Sequence, residues 1–281
     1  MSAKLNWLSQ NTLPGSLVLQ SWLTTHGFSP QLSQKYVKNG WLTKLRSGVY
    51  ARPGKEPEWY NAVSCLLEQL DLPVHLAGLT SLTHQGKAHY LQLNESVVWL
   101  EIPAKKKLPL WFKAFPDYLK ERSAELAAKK ISAKQLPSLA IHPEWLLITS
   151  NKLTSEKPSD LIEVEVSGTK LRASSAELAA FELLGAVPTS ISFEHAAEVF
   201  QGLVNLSPNK VQSLLERSSA IRTNRLFLFL ANYYKHPWFS RIDETSIKLG
   251  SGKRQIVIEG KLDKRYQLTI PAEFSMNKDI G

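Results

Sequence analysis

The sequence predicts an α+β protein in which a small, basic, mainly helical module precedes a larger mixed α/β domain. Three observations lead to this prediction. The first 55 residues contain seven basic and no acidic side chains, whereas the rest of the chain carries 27 Lys/Arg and 25 Asp/Glu. Within that first stretch, helix signals are followed by two short strand-like segments. Beyond residue 93, helix-like and strand-like segments follow one another in an irregular order, which is typical of α+β proteins.

The composition is typical of a globular intracellular protein. The chain has 281 residues, of which 43% are hydrophobic, enough to fill a sizeable core. Its single cysteine, Cys65, excludes intrachain disulfides and zinc sites built from cysteine clusters. The N-terminus lacks the apolar run of a secretory leader, and no segment is long and apolar enough to span a bilayer. We therefore expect a soluble, cytoplasmic protein with no membrane partner.

The basic module is predicted to contain three helices and a hairpin. The predicted helices cover 3–10, 16–27 and 30–39, and the predicted strands cover 41–46 and 49–52. Ser29 and Pro30 suit the N-cap and first turn of the third helix, and Gly40 suits its left-handed C-terminal position. Ser47-Gly48 provides the turn between the two strands. This order predicts a winged helix-turn-helix, to which we assign residues 1–56.

The remaining chain is predicted to form a linking segment and a larger domain. The linking segment, residues 57–92, is predicted to be helical, with helices over 58–70 and 75–82. The C-terminal α+β domain, residues 93–281, has predicted strands over 97–102, 110–115, 144–149 and 161–166, predicted helices over 117–134, 174–184, 193–203, 207–217 and 223–234, and a hairpin of 254–258 with 266–270 around a turn at 260–263.

Candidate DNA-binding residues lie on the third helix and in the hairpin. A recognition helix needs side chains that reach the edges of the DNA bases, and a wing needs basic side chains that hold phosphates. The candidates are Gln31, Ser33, Gln34, Lys35 and Lys38 on the helix and Lys44, Arg46, Ser47 and Arg52 in the hairpin. The alternative interpretation is that these lysines only keep the surface soluble and that the hairpin only covers a core.

A glycine-rich string near the C-terminus partly resembles a phosphate-binding loop. Gly250-Ser251-Gly252-Lys253 lacks the first glycine of a P-loop, because Ile247 stands there. Arg254 stands where that motif needs a Ser or Thr to bind magnesium. A turn that enters a strand is therefore the favoured interpretation, and Lys253 and Arg254 are kept as candidate contacts for an anion or RNA phosphate.

A metal-dependent, restriction-type nuclease targeted by the basic module is the alternative function. Its candidate residues are Glu259 and Lys261, with Asp243 and Glu244 upstream. Since residues 260–263 are predicted to be a turn, a solvated turn is favoured over a catalytic site. His84 and His89 have no apparent third ligand nearby, so no metal site is predicted. We predict no catalytic residue, no cofactor and no enzyme activity.

Strings of residues at both ends of the chain resemble the AbiEi family, the antitoxins of bacterial abortive-infection, type IV toxin–antitoxin systems. The N-terminal strings are Gly40-Trp41-Leu42, Arg46-Ser47-Gly48-Val49-Tyr50, 75–82, Gly86 and His89-Tyr90-Leu91. The C-terminal strings are 249–254, Leu262-Asp263, Tyr266 and Thr269-Ile270-Pro271. The resemblance covers nearly the whole chain and is weak between about 104 and 156.

The resemblance implies a winged helix that binds inverted repeats of operator DNA and represses its own operon. It also implies a C-terminal domain that neutralises a cognate nucleotidyltransferase toxin, with or without a stable complex between the two proteins. DNA contact carries over to Gln34, Lys35 and Lys38 on the helix and to Lys44, Arg46 and Arg52 in the wing. A further alternative is a binding protein whose C-terminal half sequesters the toxin directly.

Overall fold

The N-terminal module has the topology of a winged helix-turn-helix. The computed structural model describes residues 3–88, 97–103, 106–128, 144–149, 153–155 and 157–275. The module consists of α1 (Ala3–Asn11), β1 (Leu17–Leu19), α2 (Gln20–Thr25), α3 (Pro30–Lys38), β2 (Thr43–Arg46) and β3 (Val49–Ala51). Its three strands form an antiparallel sheet in the order β1-β3-β2, so the predicted hairpin is confirmed as β2–β3, and we call this hairpin the wing.

The prediction of one continuous helix over 16–27 is wrong. Leu17, Val18 and Leu19 are buried and form strand β1, which pairs with β3, and only Gln20–Thr25 is helical. A short apolar run fits a buried strand as well as a helix, and pairing with β3 decides between them here. The outer edge of β1 is covered as well, because the Gln69 amide accepts from Leu19 N at 2.9 Å and donates to Leu17 O at 2.6 Å.

In the segment 57–92, the predicted helix over 58–70 is confirmed to within one residue, but the described part of the segment is not entirely helical. It contains α4 (Trp59–Leu70), β4 (His75–Leu76) and α5 (Gly78–His84), so the predicted helix over 75–82 begins three residues late. Strand β4 lies in the middle of a five-stranded sheet, where Leu76 faces Leu100 on one side and Ala173 on the other. This segment is therefore part of the core of the larger domain.

The five-stranded sheet has the order β6-β5-β4-β8-β7. The other strands are β5 (Val97–Glu101), β6 (Glu144–Ile148), β7 (Leu161–Val166) and β8 (Thr169–Ser174). The predictions of β5, β6 and β7 are confirmed, whereas β8 was not predicted. Its signal is the Ser167-Gly168 turn, where both residues have positive φ (+49° and +83°) and connect β7 to β8.

The predicted strand over 110–115 is instead helical. Helix α6 (Leu110–Lys113) follows Pro109 and leads into α7 (Phe115–Ala128). Phe112 is fully buried and stacks on Trp145 of β6, with ring centroids 4.7 Å apart. This packing against the sheet overrides the strand propensity of a short aromatic run. The rest of the predicted helix over 117–134 and the string His89-Tyr90-Leu91 lie outside the described residues.

Four helices cover the C-terminal half, close to where they were predicted. They are α8 (Ala176–Gly185), α9 (Phe193–Gln201), α10 (Pro208–Arg217) and α11 (Ile221–Tyr233). Helix α11 runs through the core, and its residues Leu226–Ala231 are each at most 1% exposed. The buried apolar residues of this half are therefore centred on α8 and α11 and not on the five-stranded sheet.

The C-terminal hairpin was predicted with the wrong strands. Strands β9 (Arg254–Gln255), β10 (Lys261–Asp263) and β11 (Leu268–Ile270) form a sheet in the order β10-β11-β9. The hairpin is β10–β11, and β9 runs parallel to β11, so residues 261–263 are a strand rather than a turn. Gly260 permits this arrangement, since a Cβ there would lie 2.3 Å from the carbonyl oxygen of Ile270.

Candidate nucleic-acid interface

Helix α3 presents one exposed polar face. Gln31, Gln34, Lys35 and Lys38 are all exposed, and their spacing of i, i+3, i+4 and i+7 places them on one side of the helix. The opposite side carries Tyr36, which is buried in the core of the module. A polar face of two helical turns matches the length of helix that enters a major groove in helix-turn-helix proteins.

The position of α3 is determined by signals at both of its ends. The Ser29 hydroxyl accepts a hydrogen bond from Leu32 N at 3.2 Å, as expected for an N-cap, and Pro30 occupies the first turn. Gly40 has a φ of +74°, which favours glycine and ends the helix. The predicted helix over 30–39 is therefore confirmed to within one residue.

Ser33 is the helix candidate that the structure contradicts. Its side chain is fully buried, and its Oγ donates to the carbonyl oxygen of Ser29 at 3.3 Å. It lies three residues before Tyr36 and so shares the inner face of the helix. Ser33 cannot reach a base edge, and the prediction that it contacts DNA is wrong. The spacing of three residues between Ser33 and Tyr36 was the sequence signal that Ser33 faces the core.

The wing exposes Lys44, Arg46 and Ser47 near its tip. In the β2–β3 pair, Lys44 faces Tyr50 and Arg46 faces Val49, so the register shifts by one residue between them. Such a bulge increases the local twist and changes the direction of the side chains. Arg46 also donates from Nη2 to the carbonyl oxygen of Ala114 at 3.3 Å, which links the wing to the junction of α6 and α7.

Arg52 is held by the protein itself. It is half-buried, and its Nη1 donates to the carbonyl oxygen of Trp41 at 2.9 Å, joining β3 to the segment after α3. Burial lowers the pKa of Arg52 below its usual range. This geometry favours a structural role over the phosphate contact expected from the sequence.

The seven basic residues of the first module therefore divide into those with a hydrogen-bond partner in the protein and those without one among the described residues. Lys4 donates to the carbonyl oxygen of Gly27, and Lys55 donates to the Tyr60 hydroxyl at 2.7 Å and pairs with Glu58 at 3.2 Å. Together with Arg46 and Arg52, these four have partners. In the described part of the chain, Lys35, Lys38 and Lys44 make no hydrogen bond or ion pair. The basic residues without a hydrogen-bond partner in the described residues therefore lie on α3 and on strand β2.

We expect Arg52→Ala to reduce the stability of the protein and Lys44→Ala to reduce the salt dependence of DNA binding. Arg52→Ala removes a charged donor from a carbonyl and should lower the free energy of unfolding by about 1.5 kcal/mol, with no change in the salt dependence of DNA binding. Lys44→Ala should leave stability within about 0.5 kcal/mol of the parent and reduce the salt slope by about 0.9. Urea unfolding and binding titrations at several salt concentrations measure both quantities. If Arg52→Ala instead reduced the salt slope and left stability unchanged, Arg52 would be identified as the phosphate contact.

One side of the wing faces helix α7 across a cleft that has side chains of both charges. Lys44 and Arg52 line an open cleft of about 660 Å³, and Glu121 and Glu125 of α7 line it from the other side. Arg122 of α7 also binds the Glu56 carboxylate through two hydrogen bonds of 2.7 and 3.1 Å. Lys55 and Arg122 also line the cleft, so its basic and acidic side chains are nearly balanced.

The residues of the nuclease alternative do not gather into a site. Lys261 lies in β10, Asp243 accepts hydrogen bonds from Thr245, and Glu244 pairs with Arg265 at 2.6 Å. Over the described ranges, there is no group of three or more His, Cys, Asp and Glu residues that could hold a metal ion. His89 lies outside those ranges. The part of the chain that the structure describes also has no helix long and apolar enough to cross a membrane.

Sequence reasoning missed a buried network of polar and ionisable groups, here called the His75 network. The His75 ring lies 3.6 Å from carboxylate oxygens of both Glu101 and Glu182. Glu182 also accepts from Gly78 N at 2.7 Å and from the Ser174 hydroxyl at 2.8 Å. All five residues are buried. The available signal was a carboxylate within the apolar run of α8.

Comparisons with known proteins cover almost the whole chain. One family model, described as the N-terminal domain of the AbiEi antitoxin transcriptional regulators, matches residues 1–93. A second, described as a transcriptional regulator, AbiEi antitoxin of a type IV toxin–antitoxin system, matches residues 95–271. The RV2827C protein from Mycobacterium tuberculosis has a similar crystal structure, with a TM-score of 0.59 at 16% identity, over 94% of this chain and 88% of that one. No protein with a curated description matches.

Proposed function

We propose that this chain, which belongs to the AbiEi family of type IV antitoxin transcriptional regulators, represses its own operon by binding inverted repeats with α3 and the wing. The observation that carries this proposal is the exposed face of α3, whose two glutamines and two lysines lie in a stretch of 55 residues without a carboxylate side chain. Gln31 and Gln34 suit bidentate contacts with adenine, and Lys35 and Lys38 suit guanine or phosphate. Lys44 adds a phosphate contact from the wing.

The second part of the proposal is an antitoxin role for the larger domain. In this role the domain neutralises a nucleotidyltransferase toxin encoded by a neighbouring gene, and a stable complex of the two proteins is not required. Family membership supports this role, and the separate location of the candidate DNA contacts is consistent with it. The five-stranded sheet and the α8–α11 core do not include α3 or the wing, so the candidate DNA contacts lie outside the larger domain.

The DNA-binding part is tested with the full chain and the inverted repeats upstream of its own operon. We expect binding to this duplex to be tighter than to a scrambled duplex of the same length and composition. The logarithm of the binding constant should fall linearly with the logarithm of the salt concentration, by about 0.9 for each neutralised phosphate. Equal affinity for the two duplexes would refute sequence-specific repression, whatever the salt dependence.

The two roles should also separate genetically. A variant with Lys35, Lys38 and Lys44 all replaced by alanine should lose repression of an operon reporter, because it loses the proposed DNA contacts. The same variant should still protect cells that express the toxin, since the larger domain is unchanged. Reporter output and growth measure the two roles in one strain. Loss of both at normal protein levels would contradict the proposed division. Co-purification of the toxin with the chain would show direct sequestration.

A further inference from the structure

A short segment after α11, here called the glycine loop (residues 248–253), turns its carbonyl groups toward the protein. Arg225 of α11 donates to the carbonyl oxygens of Leu249, Gly250 and Gly252 at 2.6, 2.9 and 2.6 Å. Asn224 donates to the carbonyl oxygen of Lys248 at 3.0 Å. One buried arginine and its neighbour therefore fix four carbonyl groups on the inner side of the loop.

The backbone amide groups of the glycine loop have no acceptor among the residues that the structure describes. Within the described ranges, none of its six backbone N–H groups donates a hydrogen bond, and the first that does, Arg254 N, binds the carbonyl oxygen of Gln267 at 2.9 Å. Gly250 and Gly252 have φ values of +60° and +74° on either side of Ser251, and all three residues are exposed. Alternation of left-handed with ordinary backbone is the geometry that directs successive amides at an anion.

The charge around the loop is positive. Arg225 is 3% exposed and pairs with carbonyl oxygens, and it forms no ion pair with a carboxylate in the described part of the chain. Burial lowers the pKa of Arg225, and the charge of Arg254 lowers it further. Lys253 is exposed, and residues 245–258 contain no acidic residue. An anion is therefore the ligand that this loop would attract.

The start of α11 adds to this potential. A Cβ at Gly250 would lie 3.2 Å from the side chain of Ile221, the first residue of the helix. This helix of 13 residues has no acidic residue in its first turn and no side-chain cap. Its partial positive charge therefore lies next to the loop and is not neutralised by a carboxylate of its own first turn.

We propose that the glycine loop binds a phosphate group through its outward amides and the side chains of Lys253 and Arg254. The phosphate can be the terminal group of a nucleotide or an internal phosphodiester of a nucleic acid, since both present the same oxygens. The site is separate from α3 and the wing, and it does not depend on the proposed operator binding. It binds without the magnesium of a P-loop, because Arg254 stands where that motif needs a hydroxyl.

The site is tested by nuclear magnetic resonance on the full chain labelled with ¹⁵N-glycine, which gives signals from its 14 glycines. The probes are sodium pyrophosphate, ATP, and a thymidine hexanucleotide without terminal phosphates. We expect the Gly250 and Gly252 amide signals to shift with increasing probe. A response to pyrophosphate and ATP alone identifies a terminal phosphate, and a response to the oligonucleotide identifies a phosphodiester.

Two variants make the test specific. Lys253→Ala should weaken binding about tenfold, because it removes one charge-assisted contact. Lys264→Ala removes the same charge from the exposed β10–β11 turn and should leave binding unchanged. The proposal is overturned if none of the probes shifts the two signals, if sodium chloride of the same ionic strength shifts them equally, or if the two variants weaken binding to the same extent.

Discussion

Replacing Lys35, Lys38 and Lys44 together with alanine is expected to weaken operator binding by at least about a thousandfold. Each lost contact between a charged donor and a phosphate is worth about 1.5 kcal/mol or more, and 1.4 kcal/mol corresponds to a factor of ten. The slope of log affinity against log salt should fall by about 2.7, since each contact contributes about 0.9. Fluorescence anisotropy with a labelled operator duplex at four or more salt concentrations measures both changes.

The matched control removes the same charge from another part of the surface. Lys210, Lys261 and Lys264 are exposed and lie outside the first module, so their replacement by alanine lowers the net charge equally. We expect this control to retain operator affinity to within a few-fold, because only long-range attraction is reduced. Equal losses in the two triple variants would show that binding depends on total charge. In that case the face of α3 would not be the interface.

Among the substitutions proposed for this protein, Glu182→Ala is expected to lower the free energy of unfolding the most. The change leaves the Gly78 amide without its carboxylate acceptor, removes the acceptor of the Ser174 hydroxyl, and takes a charge from beside the His75 ring. A buried donor left without an acceptor costs about 1–3 kcal/mol, so the loss at Gly78 and Ser174 together is about 2–6 kcal/mol. Domains are stable by about 5–15 kcal/mol, so this is a large share of the total. Urea unfolding monitored by tryptophan fluorescence measures the change.

Two further variants separate the network from side-chain size and from helix propensity. Glu182→Gln keeps the length and one acceptor oxygen, so we expect a smaller loss than for alanine. Glu198→Ala removes an exposed carboxylate from α9 and should change stability by less than about 0.5 kcal/mol. A loss below about 1 kcal/mol for Glu182→Ala would show that water replaces the carboxylate and that the His75 network contributes little.

Much of the N-terminal module could be predicted because its signals are local. Ser29, Pro30 and Gly40 determine where α3 begins and ends, and each acts through its own backbone or through a neighbour within four residues. The turn at Ser47-Gly48 acts over a similar range. The errors in this module arose where burial decides: Leu17–Leu19 became a strand through pairing with β3, and Ser33 turned inward with Tyr36.

The larger domain was less predictable because its elements depend on distant partners. His75-Leu76 extends as a strand because β5 and β8 offer hydrogen bonds on both sides, and these strands lie about 25 and 95 residues away in the chain. Residues 110–113 are helical because Phe112 stacks on Trp145. No local pattern encodes such partners, and short apolar segments fit either type of structure.

The sequence alone determined that the basic charge is concentrated in the first 55 residues and that this stretch contains a helix followed by a hairpin. Composition and local capping signals are sufficient for both conclusions. Only the tertiary structure decided which basic residues are held by the protein, as with Lys4 and Arg46, and which have no partner among the described residues, as on α3 and at Lys44 of β2. It also showed that Arg225 turns the carbonyls of the glycine loop inward. Both depend on contacts between residues far apart in the chain, and such contacts form only when the chain is folded.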